Sequence, residues 1–189
     1  MAVTAAPTVR RELRPGDLGA IIAHHGRTYG PEFGVDSTFE AHVAASVAEA
    51  GKRGFPRDGE AVWIVEVGGR HAGSIALTDD GGGTATVRWF VLDRELRGQG
   101  LGRRLVGEVV AEAERHGYGL LKLETFSELR AAAHLYREHG FELVRAETGP
   151  RWGRAEITYQ RYERDFQRRA QDLSSASAGS SSRPFSVSA

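Results

Sequence analysis

Hydrophobic positions along the chain follow two different periods, and these predict alternating strands and helices. Apolar residues at helical spacing predict four helices, one beginning at Asp17 and the others over residues 38–50, 101–116 and 128–139. Runs rich in β-branched and aromatic residues predict strands over residues 9–14, 61–67, 71–77, 84–92, 120–125, 141–146 and 155–162. Hairpin-linked strands come first and strand–helix–strand units follow. This order indicates an α/β fold with a mixed sheet.

Glycine-rich and polar stretches separate these elements. Residues 79–83 read Asp-Asp-Gly-Gly-Gly, which predicts a tight turn because glycines supply the positive φ angles that such turns need. Residues 171–189 are rich in Ser and Ala and nearly lack large apolar side chains. Such a segment buries too little surface to offset the entropy of ordering it. We therefore predict one folded domain over residues 1–170 and a disordered tail over residues 171–189.

Composition and charge narrow the class of protein. The 189 residues carry 25 basic and 25 acidic side chains, so the net charge indicates neither a nucleic-acid nor a membrane partner. Arginines cluster from Arg151 to Arg169, but a charge run is usually a solvated face. The chain has no Cys, which excludes disulfides and thiolate chemistry. No signal peptide and no membrane-length apolar run is evident, and we expect a cytoplasmic protein.

One glycine-rich segment, Arg97-Gly98-Gln99-Gly100-Leu101-Gly102, lies between a predicted strand and a predicted helix. Glycines let the backbone approach an anion closely, and the helix N-terminus adds unpaired N–H groups. Arg97 and Arg103 can add charge-assisted contacts. No Lys-Ser or Lys-Thr pair follows the glycines, and Arg103 stands where a dinucleotide loop has its third glycine. The segment predicts another type of phosphate loop or, alternatively, a turn without a ligand.

Two motifs resemble those of the GNAT superfamily of N-acetyltransferases. Arg97-x-x-Gly100-x-Gly102 resembles the Q/R-x-x-G-x-G/A loop of that superfamily, and residues 134–141 resemble its LYxxxGF signature. The resemblance covers residues 9–166 and is greatest to the acetyltransferase half of bacterial MarR–GNAT fusion proteins, without their DNA-binding half. It implies the GNAT fold, with a central mixed, mostly antiparallel sheet of six to seven strands flanked by about four helices.

The resemblance also implies a co-substrate and its contacts. Acetyl-CoA would donate the acyl group without a metal, and the acceptor would be an amine of a small molecule or a peptide. A homodimer is a family-level expectation. Backbone groups of residues 90–92 would pair with the pantetheine arm, and one N–H would polarise the thioester carbonyl. The implied cofactor-binding residues are Phe90, Val91, Leu92, Arg97, Gly98, Gln99, Gly100, Leu101, Gly102 and Arg103.

Two residues are candidates for proton transfer. Tyr136 occupies the place of the signature tyrosine, whose hydroxyl points at the CoA sulfur and can protonate the departing thiolate. Alternatively, Tyr136 only packs its ring on the sheet and takes no part in proton transfer. Glu124 corresponds to the glutamate base of ribosomal-protein N-terminal acetyltransferases. Those relatives have an Asn early in the following helix, where this chain has Leu129.

Two function classes therefore stay open: an N-acetyltransferase, and a GNAT-fold module that binds acyl-CoA without turnover. The seven histidines form no recognisable ligand set, and we expect no metal site. His24, His25, Tyr29 and Phe33 fall in the helix–loop region that lines the acceptor pocket in GNAT proteins. They could contact the substrate, but we favour the interpretation that they are residues of a surface loop.

Overall fold

The computed structural model of the protein describes residues 5–168, and the tail predicted as disordered lies outside them. In chain order the elements are β1 (Thr8–Arg10), α1 (Asp17–Phe33), α2 (Ser37–Lys52), β2 (Ala61–Val67), β3 (Arg70–Gly81), β4 (Thr84–Leu92), a 3₁₀ turn (Arg94–Leu96), α3 (Leu101–Arg115), β5 (Leu120–Phe126), α4 (Arg130–Glu138), β6 (Glu142–Arg151) and β7 (Arg154–Asp165). Among these residues, no helix is both long and apolar enough to cross a membrane.

The seven strands form one sheet in the order β1-β2-β3-β4-β5-β7-β6. Neighbouring strands are antiparallel except β4 and β5, which are parallel. The predicted mixed, mostly antiparallel sheet is therefore confirmed. The β4–β5 ladder joins only Thr84–Thr86 to Leu120–Lys122, although both strands continue beyond it. The two strands separate there, and a cleft opens in the middle of the sheet.

Helices cover both faces of the sheet, because alternate side chains of each strand point to opposite faces. Trp63 of β2 packs with α3 and α4 on one face, while its neighbours Val62 and Ile64 pack with α1 and α2 on the other. We call these the α3/α4 face and the α1/α2 face. The predicted apolar stripe of α3 is buried as expected, from Leu105 to Ala113.

Helix α1 corrects one prediction. It continues through Gly26, Gly30 and Pro31 to Phe33, although these residues favour helix ends. Its buried residues Ile21, His25 and Tyr29 recur every four positions, so they form one stripe against the sheet. Packing of that stripe outweighs the weak helix propensity. The interpretation as a surface loop is therefore wrong, because His24, His25 and Tyr29 are buried.

Element ends differ from the prediction in several smaller ways. Strand β3 runs to Gly81, which pairs with Thr84, so the turn predicted over residues 79–83 narrows to Gly82 and Gly83. Strand β1 is shorter than predicted, and β6 and β7 are longer. The extra length comes from the β6–β7 hairpin, in which the two strands pair almost to the tip of the hairpin. The alternation of apolar and polar residues along one strand does not reveal how far two strands pair.

Candidate active site

A cavity of about 590 Å³ lies where β4 and β5 separate. Its walls come from both faces of the sheet, from the glycine loop and from α4. Ten of the twelve predicted site residues line it, namely Phe90, Val91, Leu92, Arg97, Gly98, Gly100, Gly102, Arg103, Glu124 and Tyr136. The other two do not: the Gln99 amide donates to the Glu95 carbonyl oxygen, and Leu101 packs against the α3/α4 core.

The glycine loop connects the 3₁₀ turn to α3. Gly98 and Gly100 have φ angles of 73° and 82°, a left-handed conformation that glycine adopts without steric cost. Gly100 is the N-cap of α3, and as a glycine it has no side chain that could accept a hydrogen bond from the first N–H groups of that helix. A Cβ at Gly102 would lie 3.3 Å from Leu135 and 3.4 Å from Phe90. The N–H groups at this helix start and the close packing at Gly102 fit the pyrophosphate of an acyl-CoA.

Arg97 ties the loop to the rest of the cavity. Its Nε donates to the carbonyl oxygen of Leu92 at 3.0 Å, and its Nη1 lies 2.8 Å from the Glu32 carboxylate. Arg103 is similarly paired with Glu138 at 2.8 Å. Each arginine would have to share or exchange its carboxylate partner to bind a phosphate, and Arg97 also fixes the loop against the end of β4.

Strand β4 bends away from β5 at a bulge. The register with β3 shifts between Ser74 and Ala76, and Trp89 has a φ of 52°. This conformation costs a bulky residue about 1–3 kcal/mol, so the surroundings must hold it. The Ser74 hydroxyl donates to the Trp89 carbonyl oxygen at 2.7 Å, and the Tyr29 hydroxyl donates to the Phe90 carbonyl oxygen at 3.0 Å. These bonds hold the bulge that opens the cleft.

Tyr136 enters the cavity from α4, on the α3/α4 face. Its side chain is only 5% exposed and lies among the rings of Phe90, Phe141 and Tyr162, with centroids 6.0–6.4 Å away. Burial raises the pKa of its phenol well above the usual value, so the hydroxyl is protonated at neutral pH. Within residues 5–168 that hydroxyl has no hydrogen-bond partner. It is therefore an available proton donor.

Glu124 enters the cavity from β5, on the opposite face. Its neighbour Leu123 belongs to the α3/α4 core, so Glu124 points toward α1 and α2. Tyr159 and His42 lie near it: burial raises the pKa of Tyr159, and Glu124 raises it further. Burial lowers the pKa of His42, which Glu124 partly opposes. Glu124 forms no ion pair with any residue from 5 to 168, but its carboxylate accepts a hydrogen bond from the Tyr159 hydroxyl. Its charge is therefore not neutralised by a cation, and it can still accept a proton.

Glu128 is less suited to that role. Its carboxylate forms an ion pair with Arg154 and accepts a hydrogen bond from the Ser127 hydroxyl at 3.0 Å. Burial acts to raise the pKa of Glu128, but these bonds and one from its own backbone N–H lower it overall. A carboxylate held ionised in this way is a weak base.

The chain matches the model of the Acetyltransferase (GNAT) family over residues 23–141. The protein belongs to this family. It is also similar to an uncharacterized N-acetyltransferase of Schizosaccharomyces pombe, with 31% identity over 115 residues that cover 60% of this chain and 70% of the relative. The GNAT family uses acetyl-CoA, and its members in general act on amine acceptors of small molecules or peptides.

Solved structures share the fold of this GNAT domain. A GNAT-family acetyltransferase from Streptococcus pneumoniae has a TM-score of 0.62 at 19% identity, covering 85% of this chain and 99% of its own. A Salmonella typhimurium protein regarded as an acetyltransferase, solved with its cofactor acetyl-CoA, has a TM-score of 0.61 at 19% identity, with 85% and 94% covered. The ribosomal-protein-alanine N-acetyltransferase of Brucella melitensis also scores 0.61 at 19%, with 84% and 99% covered.

The GNAT motifs did not reveal the aromatic side of the cavity. We define the aromatic wall as Phe33, Phe39, Phe126, Trp152 and Tyr159, all of which line the cavity. The ring centroids of Phe39 and Tyr159 lie 5.0 and 5.9 Å from that of Trp152. The wall comes from α1, α2, β5 and the β6–β7 hairpin. Phe33 falls in the region that lines the acceptor pocket in GNAT proteins, but each of the other four rings resembles an ordinary core residue in the sequence. No local signal therefore identifies the wall as a whole.

Three histidines at or next to the cavity, His24, His25 and His71, contact other groups of this GNAT domain. Among residues 5–168, no group of three or more His, Cys, Asp or Glu side chains could hold a metal. His25 lines the cavity with its Nδ1 2.8 Å from the Ile21 carbonyl oxygen, and burial lowers its pKa to about 4. His24 and His71 bring their Nδ1 atoms to 3.2 Å, and burial lowers both pKa values.

Proposed function

We propose that this protein is an acetyl-CoA-dependent N-acetyltransferase that moves the acetyl group to a primary amine of a small molecule or peptide. The amine would attack directly within a ternary complex. One observation carries the proposal: a single cavity joins the glycine loop, Tyr136 and Glu124, with the last two on opposite faces of the sheet. A module that only binds acyl-CoA needs the loop but not this pair.

The chain's own residues would bind and orient both substrates. The N–H groups at the start of α3 and of the loop from Gly98 to Gly102 would hold the pyrophosphate. The bulged backbone of Phe90 and Val91 would pair with the pantetheine arm. When bound, acetyl-CoA supplies the acetyl group as a thioester. Glu124 lies on the α1/α2 side of the cavity, where it would face the acceptor amine.

Glu124 and Tyr136 would divide the proton transfers between them. An ammonium must lose a proton before its nitrogen can attack, and the Glu124 carboxylate would accept protons from that nitrogen, directly or through water. The N–C bond forms and the C–S bond breaks. The Tyr136 hydroxyl would give its proton to the departing sulfur and regain one from solvent. The net products are the N-acetyl amine, CoA and one released proton.

Thiol release from acetyl-CoA, measured with a panel of primary amines, tests the proposal. We expect amine-dependent release of CoA and a product heavier by one acetyl group. The failing result would be a protein that binds acetyl-CoA but acetylates none of the amines, which would favour the non-catalytic acyl-CoA sensor. The cytoplasmic location, the homodimer and the likeness to MarR–GNAT fusion proteins stay predictions from the sequence.

A further inference from the structure

The acceptor side of the cavity has one unpaired negative charge. Glu124 and Glu128 are the acidic residues among those that line the cavity, and Glu128 is paired with Arg154. Glu124 has no cationic partner within residues 5–168, although the Tyr159 hydroxyl hydrogen-bonds to it. One unpaired carboxylate matches one ammonium group. A polyamine would bring further cations, for which the lining offers no second free carboxylate.

Two arginines on this side could meet a substrate carboxylate, Arg88 and Arg151, and both are already engaged. The Arg151 guanidinium stacks on the Tyr159 and Trp152 rings, 4.3 and 5.4 Å from their centroids. Arg88 of β4 lines the cavity on this side, but its Nε donates to the Thr78 hydroxyl at 3.1 Å and its Nη2 lies 3.8 Å from the Asp80 carboxylate. Arg88 is therefore already partnered within the sheet. A zwitterionic amino acid would have to compete with Asp80 for it.

The aromatic wall offers an apolar ring-sized surface. Phe39, Phe126 and Trp152 form edge-to-face contacts with centroid separations of 5.0–6.3 Å, and Tyr159 extends the wall to the vicinity of Glu124. Aromatic faces attract both apolar rings and ammonium groups. The lining therefore combines the Glu124 carboxylate with the apolar surface of the aromatic wall beside it.

The strained backbone at Trp152 indicates that a tryptophan is kept at this position because its ring is needed at the cavity. Trp152 and Gly153 are the two turn residues of the β6–β7 hairpin, and both have positive φ, 53° and 76°. Such turns favour Asn-Gly, whereas a bulky residue there is strained. The Trp152 carbonyl oxygen accepts a hydrogen bond from the Asp36 N–H at 2.9 Å, and the side chain is only 9% exposed. Strain kept at a cavity wall points to a role in function.

We propose that the acceptor is an arylalkylamine, a primary monoamine that carries an aromatic ring and no carboxylate. Its ammonium would lie at Glu124 and its ring against the aromatic wall. This inference rests on the proposed acetyl transfer. The reaction forms the N–C bond to the arylalkylamine and breaks the C–S bond, and it yields the N-acetyl arylalkylamine, CoA and one proton.

Four amines test the substrate class on the full chain with saturating acetyl-CoA. The probes are 2-phenylethylamine, ethylamine, L-phenylalanine and spermidine, with kcat/KM measured for each. We expect 2-phenylethylamine to exceed each of the others by about tenfold or more, since pocket contacts of this size discriminate by about 10–200-fold. Equal or better acetylation of ethylamine, phenylalanine or spermidine would overturn the arylalkylamine class and leave acetyl transfer standing.

Two substitutions at one position test the wall itself. W152N places the residue that the turn favours and removes the ring, whereas W152Y keeps a ring. The readout is the ratio of kcat/KM for 2-phenylethylamine to that for ethylamine, which does not depend on the folded fraction. We expect W152N to lower the ratio about tenfold and W152Y to keep most of it. An unchanged ratio in W152N would overturn the inference.

A melt with and without acetyl-CoA separates the two levels of failure. A protein that acetyl-CoA stabilises but that acetylates neither these four amines nor any small-molecule or peptide amine of the wider panel would contradict both the arylalkylamine class and the proposed function. Acetylation confined to a non-aromatic amine or to a peptide would contradict the class alone.

Discussion

The two sides of the cavity are built in different ways. The cofactor side comes from two continuous stretches, the loop with the end of β4 and the segment of α4 that carries Tyr136. It works largely through backbone, because N–H groups and glycine conformations bind phosphate. The acceptor side collects single side chains from α1, α2, β5 and the β6–β7 hairpin.

This difference has a consequence for substitution. A backbone site depends on conformations that few residues can adopt, so changes at its glycines should weaken acetyl-CoA binding whatever the amine. A side-chain site can exchange its rings without loss of the fold, so changes there should alter turnover or selectivity and leave acetyl-CoA binding intact. The predictions below test that separation.

The largest effect is expected from Glu124→Gln. The amide cannot accept the amine proton, so kcat/KM should fall by about 10²–10⁴-fold, while the dissociation constant for acetyl-CoA stays nearly unchanged. Steady-state kinetics and calorimetric titration measure the two quantities. Glu156→Gln is the matched control, because Glu156 is exposed on β7 and does not line the cavity. Equal activity of the two variants would remove Glu124 from the proposed chemistry.

Tyr136→Phe should have a smaller effect. It removes the donor to the departing sulfur, but a thiolate of ordinary pKa near 8.5 leaves fairly well unaided. We expect kcat to fall by about 10²-fold, the lower end of the range for a positioned acid. Tyr118→Phe controls for the loss of a hydroxyl, since Tyr118 bonds the Gly59 carbonyl oxygen outside the cavity. Wild-type kcat in Tyr136→Phe would assign the ring to packing alone.

Gly100→Ala tests the backbone side. Gly100 has a φ of 82° with open space around it, so an added methyl group meets no atom but strains the loop by about 1–2 kcal/mol. We expect acetyl-CoA to bind about tenfold more weakly, and the ratio of rates among amines to stay the same. Gly82→Ala makes a similar change in the β3–β4 turn, at a φ of 61°. If both variants bind acetyl-CoA like the wild type, the loop does not hold the pyrophosphate.

The smallest effect is a pH dependence of stability on the acceptor side. Burial lowers the pKa of His25 from its usual 6.5 to about 4. Between these pH values the unfolded chain binds a proton that the folded protein does not. The stability contribution of His25 is therefore full above about pH 6.5 and decreases as the pH is lowered below that value. His25 contributes at most about 1.4 kcal/mol per pH unit. Urea unfolding at pH 7, 6 and 5 measures the slope, and His25→Gln should reduce it. An equally steep slope in the variant would refute the assignment.

The sequence could predict most of the fold and the cofactor side. Strands β2 and β4 begin and end where their β-branched and aromatic runs do, because packing on both faces demands such residues. The glycine loop was found because its chemistry is local. The extension of α1 was missed, since the weak helix formers Gly26, Gly30 and Pro31 hide a stripe that only tertiary packing makes favourable.

The acceptor side could not be predicted for a physical reason. Trp152 reaches the cavity only because a hairpin turn adopts positive φ and bonds the start of α2. Phe39 and Tyr159, which both contact Trp152, are more than 100 residues apart from each other in the chain. Long-range contacts of this kind leave no spacing pattern, and a Trp-Gly turn is not one that turn preferences predict.

The melting temperature of the full chain with excess acetyl-CoA tests the central claim, that the cleft between β4 and β5 binds the acyl donor. A ligand at a hundred times its dissociation constant stabilises the folded state by about 2.7 kcal/mol, and each kcal/mol raises the midpoint by about 2–4 °C for a domain of this size. We predict a rise of several degrees in the wild type and a smaller rise in Gly100→Ala. An unchanged midpoint at millimolar acetyl-CoA would contradict the account.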